Sequence, residues 1–263
     1  MTPVPADQLP RSFHHVIQGR DGALYASSFL TNEVFRAAPD EKGANRWVLV
    51  VGRGQGLDGP TGLALDEQSS LYVSSFGTDQ ILRFNSVTGD AVDVFVNDEE
   101  GKLDCPEGLL HLGDRLLVAS FCNDRILSYN ADGSLREIFA SGGYLDGPQT
   151  MLEHPATHSI LISTYHRDKV VAVDASSGKK RREFGGRELS RPVGLAASPF
   201  DMCLVASHKS NEILRYNAST GEFVDVFASG HGLWAPTGIA MSSDLVLSVG
   251  TFTDGLRRYS FWR

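Results

Sequence analysis

The sequence predicts an all-β fold, a six-bladed β-propeller of four-stranded antiparallel blades, on three observations. A unit opening on Pro-x-Gly recurs with a period near 45 residues, each copy holds four short apolar or β-branched runs, and glycine-bearing turns separate the runs with no 3.6-residue rhythm. The anchors fall at Phe13, Pro60, Pro106, Pro148, Pro192 and Pro236, spaced 47, 46, 42, 44 and 44 residues, with Phe13 standing where the other copies have proline.

Each element follows from local chemistry. In the copy opening at Gly59, strand A covers 63–65, strand B 71–75, strand C 80–84 and strand D 92–96. Thr88-Gly89, Asp132-Gly133, Ser177-Gly178 and Thr220-Gly221 mark the C-to-D hairpins, where glycine supplies the positive φ that a tight hairpin needs. The last copy stops at Arg263, just after its strand C. Two endings are open: residues 1–4 close that blade as its outer strand, where Pro3 and Pro5 are tolerated on an edge, or the final blade has three strands.

Composition bounds the rest. The 263 residues form a single domain, 1–263, long enough to bury a sizeable core, with 41% hydrophobic and 21% charged residues. No apolar run reaches the roughly 18 residues of a membrane helix. A formal charge of −8 argues against nucleic acid or an anionic membrane as partner; a small-molecule or peptide ligand and a monomer are separate expectations. Residues 1–12 hold three prolines and no apolar stretch, so the default compartment is cytoplasmic, or the protein is secreted if a leader was removed. The three cysteines are expected as free thiols, with Cys105 to Cys122 as the one bridge worth considering and Cys203 buried in strand B.

The repeats PTGLALDEQSSLYVSS, PEGLLHLGDRLLVAS and PVGLAASPFDMCLVAS resemble those of the NHL-repeat and SMP-30-like (gluconolactonase-like) six-bladed propellers across nearly the whole chain. The resemblance implies a fold shared by lactonases, lyases, strictosidine-synthase-like enzymes and binding platforms. It also implies that the D-to-A loops and B-to-C turns share one face, with the start of strand A pointing into the central channel.

On that face the middle residue of each Pro-x-Gly sets the channel mouth: His14, Thr61, Glu107, Gln149, Val193 and Thr237. SMP-30-like lactonases resemble this chain in placing calcium ligands there, as Glu, Asn, Asn and Asp in blades one, three, four and five. His14, Glu107, Gln149 and Val193 stand in those places, so the calcium tetrad is not intact. His14 and Glu107 are the candidate acid–base pair, or two ligands of a divalent metal, against the plainer reading of a hydrated channel lining.

The B-to-C turns bring Phe29, Phe76, Phe121, Tyr165, His208 and Phe252, read either as rim packing or as an aromatic collar for a ligand, with His166 beside Tyr165. His231 and Trp234 lie on the last D-to-A loop of the same face. Asp58, Asp104 and Asp146 recur before the Pro-x-Gly, read as turn-forming Asx hydrogen bonds against an acidic ring for a cation.

Other motifs fail on context. The G-x-G-x-x-G at 54–59 leads through Pro60 into a strand, Pro155 interrupts the His154 and His158 spacing, and the Ser74-Ser75 dyad recurs as a structural feature. The basic run 179–182 falls on an edge hairpin, where lysines protect a sheet edge. With no complete nucleophile, base and orienter set, the leading expectation is a binding propeller. The alternative is a lactonase- or esterase-like hydrolase or a lyase working through His14 and Glu107.

Overall fold

The computed structural model describes residue 4 and residues 9–39, 45–97, 102–186, 188–230 and 232–261. Six antiparallel sheets follow one another along the chain and form a six-bladed β-propeller. Blade 1 holds β1 (His15–Gln18), β2 (Leu24–Ser28), β3 (Glu33–Pro39) and β4 (Asn45–Val51), and blade 2 holds β5 (Pro60–Leu65), β6 (Ser70–Ser75), β7 (Gln80–Asn85) and β8 (Ala91–Asn97). Blade 3 comprises β9 (Pro106–Leu112), β10 (Arg115–Ser120), β11 (Arg125–Asn130) and β12 (Leu135–Ser141); blade 4 comprises β13 (Pro148–His154), β14 (Ser159–Thr164), β15 (Lys169–Asp174) and β16 (Lys180–Phe184). Blade 5 runs through β17 (Pro192–Ser198), β18 (Met202–Ser207), β19 (Glu212–Asn217) and β20 (Phe223–Ser229), and blade 6 through β21 (Pro236–Met241), β22 (Val246–Thr251) and β23 (Leu256–Ser260). The only helical pieces among the described residues are 3₁₀ turns at Phe121–Asn123 and Pro155–Thr157.

The core lies in the seams between blades. Alternate residues of each second strand face opposite neighbours: Leu71 and Val73 pack with Tyr25 and Val34 of blade 1, whereas Tyr72 packs with Leu116 and Val118 of blade 3. Burial on both faces explains why these strands read as continuous apolar runs. The glycine of Pro-x-Gly has an equally direct cause. A Cβ at Gly62, Gly108 or Gly194 would collide with the carbonyl of Glu107, Gln149 or Thr237 on the next blade, because the innermost strands approach backbone to backbone around the axis.

A second device recurs at five seams. Asn32, Asp79, Asp124, Asp168 and Asn211 each sit in the left-handed region, φ 53 to 60°. Their Oδ1 atoms accept hydrogen bonds of 2.6–2.8 Å from the backbone N–H of Gly59, Cys105, Gly147, Arg191 and Ala235 on the following blade. Asx residues tolerate that backbone best after glycine. At the closing seam the equivalent residue is Gly255, which instead donates its N–H to Arg11 O at 2.5 Å. That seam is joined by Phe13 N–H to Thr251 O (3.1 Å), Gly238 N–H to His14 O (2.8 Å) and Thr237 Oγ1–H to Phe13 O (2.6 Å), over Phe13 stacked on Trp47. The sixth sheet has three strands among the described residues. Of residues 1–4 only Val4 is described, and its N–H bonds Trp47 O on β4 of blade 1 (2.9 Å).

The serine dyad is structural, as expected. The first serine crosses the seam: Ser27, Ser74 and Ser163 donate to the carbonyls of Thr61, Glu107 and Val193. The second closes its own blade's loop: Ser75 and Ser120 accept 2.9 Å bonds from the backbone N–H groups of Asp58 and Asp104. Asp58 and Asp104 therefore hold their turns through backbone N–H and C=O groups rather than through the expected Asx side-chain bonds. The free-thiol expectation needs correction. Cys105 and Cys122 form a disulfide, with Cα atoms 5.4 Å apart, because the backbone pairing of Phe121 and Cys122 with Cys105 and Asp104 already sets the two residues side by side. Cys203 is free and buried, and burial pushes its thiol up to about 12.

Candidate functional site

The face carrying the D-to-A loops and B-to-C turns encloses a cavity of about 330 Å³. Its floor is formed by His14, Glu107, Gln149, Val193 and Thr237, five of the six middle residues of the Pro-x-Gly positions. Its wall is the six B-to-C residues, which touch in two arcs. Phe29 meets His14 and Phe76 at 5.8 Å, Tyr165 lies 6.2 Å from Phe121 and 6.1 Å from His208, and His208 lies 6.5 Å from Phe252. Phe76 and Phe121 are thus in the lining, as the repeat register leads one to expect.

Thr61 is the exception on the floor. It is fully buried, outside the lining, and its hydroxyl donates to Pro106 O at 2.7 Å. Thr237 reaches the cavity with its hydroxyl engaged by Phe13 O. His166 packs outside the collar, against Phe121 (5.4 Å) and Tyr165 (5.2 Å), and is exposed. Trp234 is 60% exposed on the last D-to-A loop and does not line the cavity. His231 lies outside the described residues.

Two floor groups converge. His14 Nδ1 lies 3.7 Å from Glu107 Oε2, and Gln149 Nε2 approaches Glu107 Oε1 at 3.5 Å. Burial disfavours charge on both partners: it holds His14 down to about 3, helped by the nearby His15 and His208, and pushes Glu107 up to about 8. At neutral pH the contact therefore joins a neutral imidazole to a carboxylic acid. His208 is lowered by burial, and its Nδ1 faces Pro236 O at 3.3 Å. Since a carbonyl only accepts, Nδ1 carries the proton and Nε2 is left as an acceptor.

His15, in place of the repeat glycine, points the other way. Its Nδ1 accepts the Leu63 N–H at 3.1 Å, and burial lowers it to about 4. It borders a larger cavity, about 540 Å³, on the opposite face, among strand-A residues such as Ile17, Leu65, Leu109 and Met241. Volume favours that cavity, but its buried imidazole is tied to backbone. The collar cavity is the one where several perturbed polar groups converge, which makes it the candidate site.

Metal chemistry finds little purchase on the floor. Calcium takes six to eight oxygens, whereas this set offers one carboxyl, one amide and an imidazole, and the buried Val193 offers none. The His154 and His158 spacing dissolves as well. His154 Nε2 meets Asp201 at 2.7 Å while His158 Nε2 meets Ser176 at 2.8 Å. The basic run is spent within its own surroundings, Lys180 on Glu183, Arg181 on Asp174 and Arg182 on Ala218 O.

Sequence reasoning missed Arg191, whose guanidinium lies 5.3 Å from the Tyr165 ring centroid. The signal that could have found it is that Arg191 is the one charged residue at a position held otherwise by Gly59, Cys105, Gly147 and Ala235. The Asx seam acceptors were missed as well, although they recur four residues after the second residue of each dyad.

No family model matches the chain, and no curated protein matches it. Solved structures do. A streptogramin B lyase shares 14% identity over 96% of this chain and 84% of its own, with a TM-score of 0.67. A chain of a nidogen/laminin complex shares 19% identity over 91% of this chain and 89% of its own, with a TM-score of 0.76. A catalytically inactive virginiamycin B lyase from Staphylococcus aureus, solved with quinupristin, shares 14% identity over 95% of this chain and 85% of its own, TM-score 0.67. At these identities the likeness establishes the propeller fold alone.

Proposed function

We propose that the chain is a monomeric binding propeller that receives a small molecule or a peptide at the collared cavity. One observation carries this reading: buried Glu107 and Gln149 and half-buried His14 converge, uncharged, beneath an aromatic wall. The wider fold offers precedent for both kinds of occupant, since one neighbour was solved with quinupristin and another in a nidogen/laminin complex. A fragment screen read by protein NMR tests it. Fragments that shift the collar and floor resonances, and lose affinity in Phe76→Leu, support it; fragments that bind only the opposite cavity overturn it.

The 3.7 Å contact favours a second reading, a hydrolase or lyase. Glu107 holds a proton at neutral pH and can deliver it to a leaving oxygen, while the neutral His14 can accept one. Under this reading a lactone and ester screen finds turnover, and His14→Ala lowers it at least about a hundredfold. Absence of turnover, with no stoichiometric metal in elemental analysis of the purified protein, leaves the binding reading in place.

A further inference from the structure

Glu107 is 5% exposed, and its carboxyl meets only Gln149 at 3.5 Å and His14 at 3.7 Å. No lysine or arginine among the described residues pairs with it. A buried carboxyl without a cation stays protonated, because an unpaired charge there costs more than the proton does. The wall above it is five aromatic rings and His208, all acceptors of positive charge through their π surfaces or, for His208, through Nε2.

We infer that the cavity takes an organic cation, an alkylated ammonium group of the choline or methylated-lysine kind, seated among the collar rings with Glu107 as its counter-ion. The inference rests on the collar cavity being the binding site. The alkylated form follows from what the walls lack. A primary ammonium brings three N–H donors that all need acceptors, whereas the wall around the cavity presents ring faces of Phe29, Phe76, Phe121, Tyr165 and Phe252 rather than oxygens. An alkylated ammonium has few or no N–H groups to satisfy and gains from the rings directly. Binding converts the Glu107 carboxylic acid to carboxylate and releases one proton to solvent, so the cavity gains a buried ion pair whose cation arrives with the ligand.

The other charged groups around the floor hold still in the working range. His14 and His15 are held neutral near and above pH 6 by burial, which also lowers His208. Arg191 is exposed and packed on Tyr165, partly screened by water and salt, and its fixed charge reaches His208 and helps to lower it. Between about pH 6 and pH 9, Glu107 is the floor group whose charge changes.

The test compares choline with 3,3-dimethylbutan-1-ol, its uncharged isostere, by calorimetry on the full chain at about pH 6.5 and about pH 8.5. The expected result is a preference for choline of about tenfold or more at the higher pH. Choline affinity should fall about twentyfold at the lower pH, the consequence of a carboxyl near 8 that must ionise, while the alcohol is unaffected. Glu107→Gln should lose both the preference and the pH dependence yet keep alcohol binding. Phe252→Leu, at a 42% exposed position, should weaken choline roughly threefold more than it weakens the alcohol. A trimethyllysine peptide that binds tighter than choline assigns the cation to a protein tail; the reverse assigns it to a free molecule. Equal, pH-independent binding of choline and alcohol overturns the cation assignment and leaves the cavity reading standing. Binding of neither overturns the assignment too, and the fragment screen then decides the cavity separately.

Discussion

His14 Nδ1 sits 3.7 Å from Glu107 Oε2, a contact on the cavity floor between residues of blade 1 and blade 3. Each partner is held uncharged by burial, so the pair is a proton donor beside a proton acceptor and adds no net field to the cavity.

This pair sets a pH dependence of stability. His14 and His15 lie below their ordinary value of 6.5, so the folded state binds fewer protons and stability is lost as pH falls from 6.5 through about 4 and about 3. Glu107 lies above its ordinary 4.5, so its contribution is fully present below 4.5 and is lost as pH rises toward about 8. Of the three, only Glu107 acts above 6.5. Urea unfolding should show stability falling by up to about 1.4 kcal/mol per pH unit between about 6.5 and 8, and Glu107→Gln should flatten that decline. A wild-type curve already flat there would show Glu107 ionised in the fold.

The seam clamps should be measurable one at a time. Asp124 holds the buried Gly147 N–H at 2.8 Å from a left-handed backbone, φ 58°. Asp124→Ala should cost about 1–3 kcal/mol from the orphaned N–H, with about 1 kcal/mol more for alanine in that backbone. Asp124→Asn keeps both features and should stay within about 0.5 kcal/mol of wild type. Equal losses in the two variants would mean that the bond contributes nothing.

The disulfide gives a direct count. Denatured, unreduced protein should expose one reactive thiol, Cys203, out of three cysteines. Replacing Cys105 and Cys122 by serine should lower stability by about 3 kcal/mol, the entropy of closing a loop with a sequence separation of 17. Three reactive thiols would refute the bridge.

Trp234 separates ligand sizes. Because it stands 60% exposed outside the lining, Trp234→Ala should leave the affinity of a small cavity ligand unchanged. For a peptide that covers the whole face the same change should cost about 2 kcal/mol or more, the usual worth of an interfacial tryptophan anchor. Competition binding with a small ligand and a peptide reads both arms in one assay.

Most of the architecture was legible in the chain because repetition multiplies weak signals. Strands expected at 71–75 and 80–84 are Ser70–Ser75 and Gln80–Asn85, since a two-sided buried strand shows its apolar run directly. The cavity wall was legible for the same reason: one register fixes Phe29, Phe76, Phe121, Tyr165, His208 and Phe252 at equivalent turns, and equivalent turns share a face. Thr61 and Trp234 show the limit of that logic. Register places the backbone of every copy alike, but whether a side chain faces the cavity depends on the neighbour it meets, and Thr61 meets the Pro106 carbonyl first.

The sequence by itself determined the six units, their strands and which residues gather at the channel mouth, because these depend on local periodicity and turn chemistry that each copy restates. The tertiary structure alone decided the rest. Contacts across the ring bring Glu107 within reach of His14, join Cys105 to Cys122, and let Gly255 bond Arg11 at the one seam without an Asx acceptor. The physical reason is that protonation, bridging and closure depend on distances between groups far apart in the chain and on the water excluded between them, neither of which exists until the ring has closed.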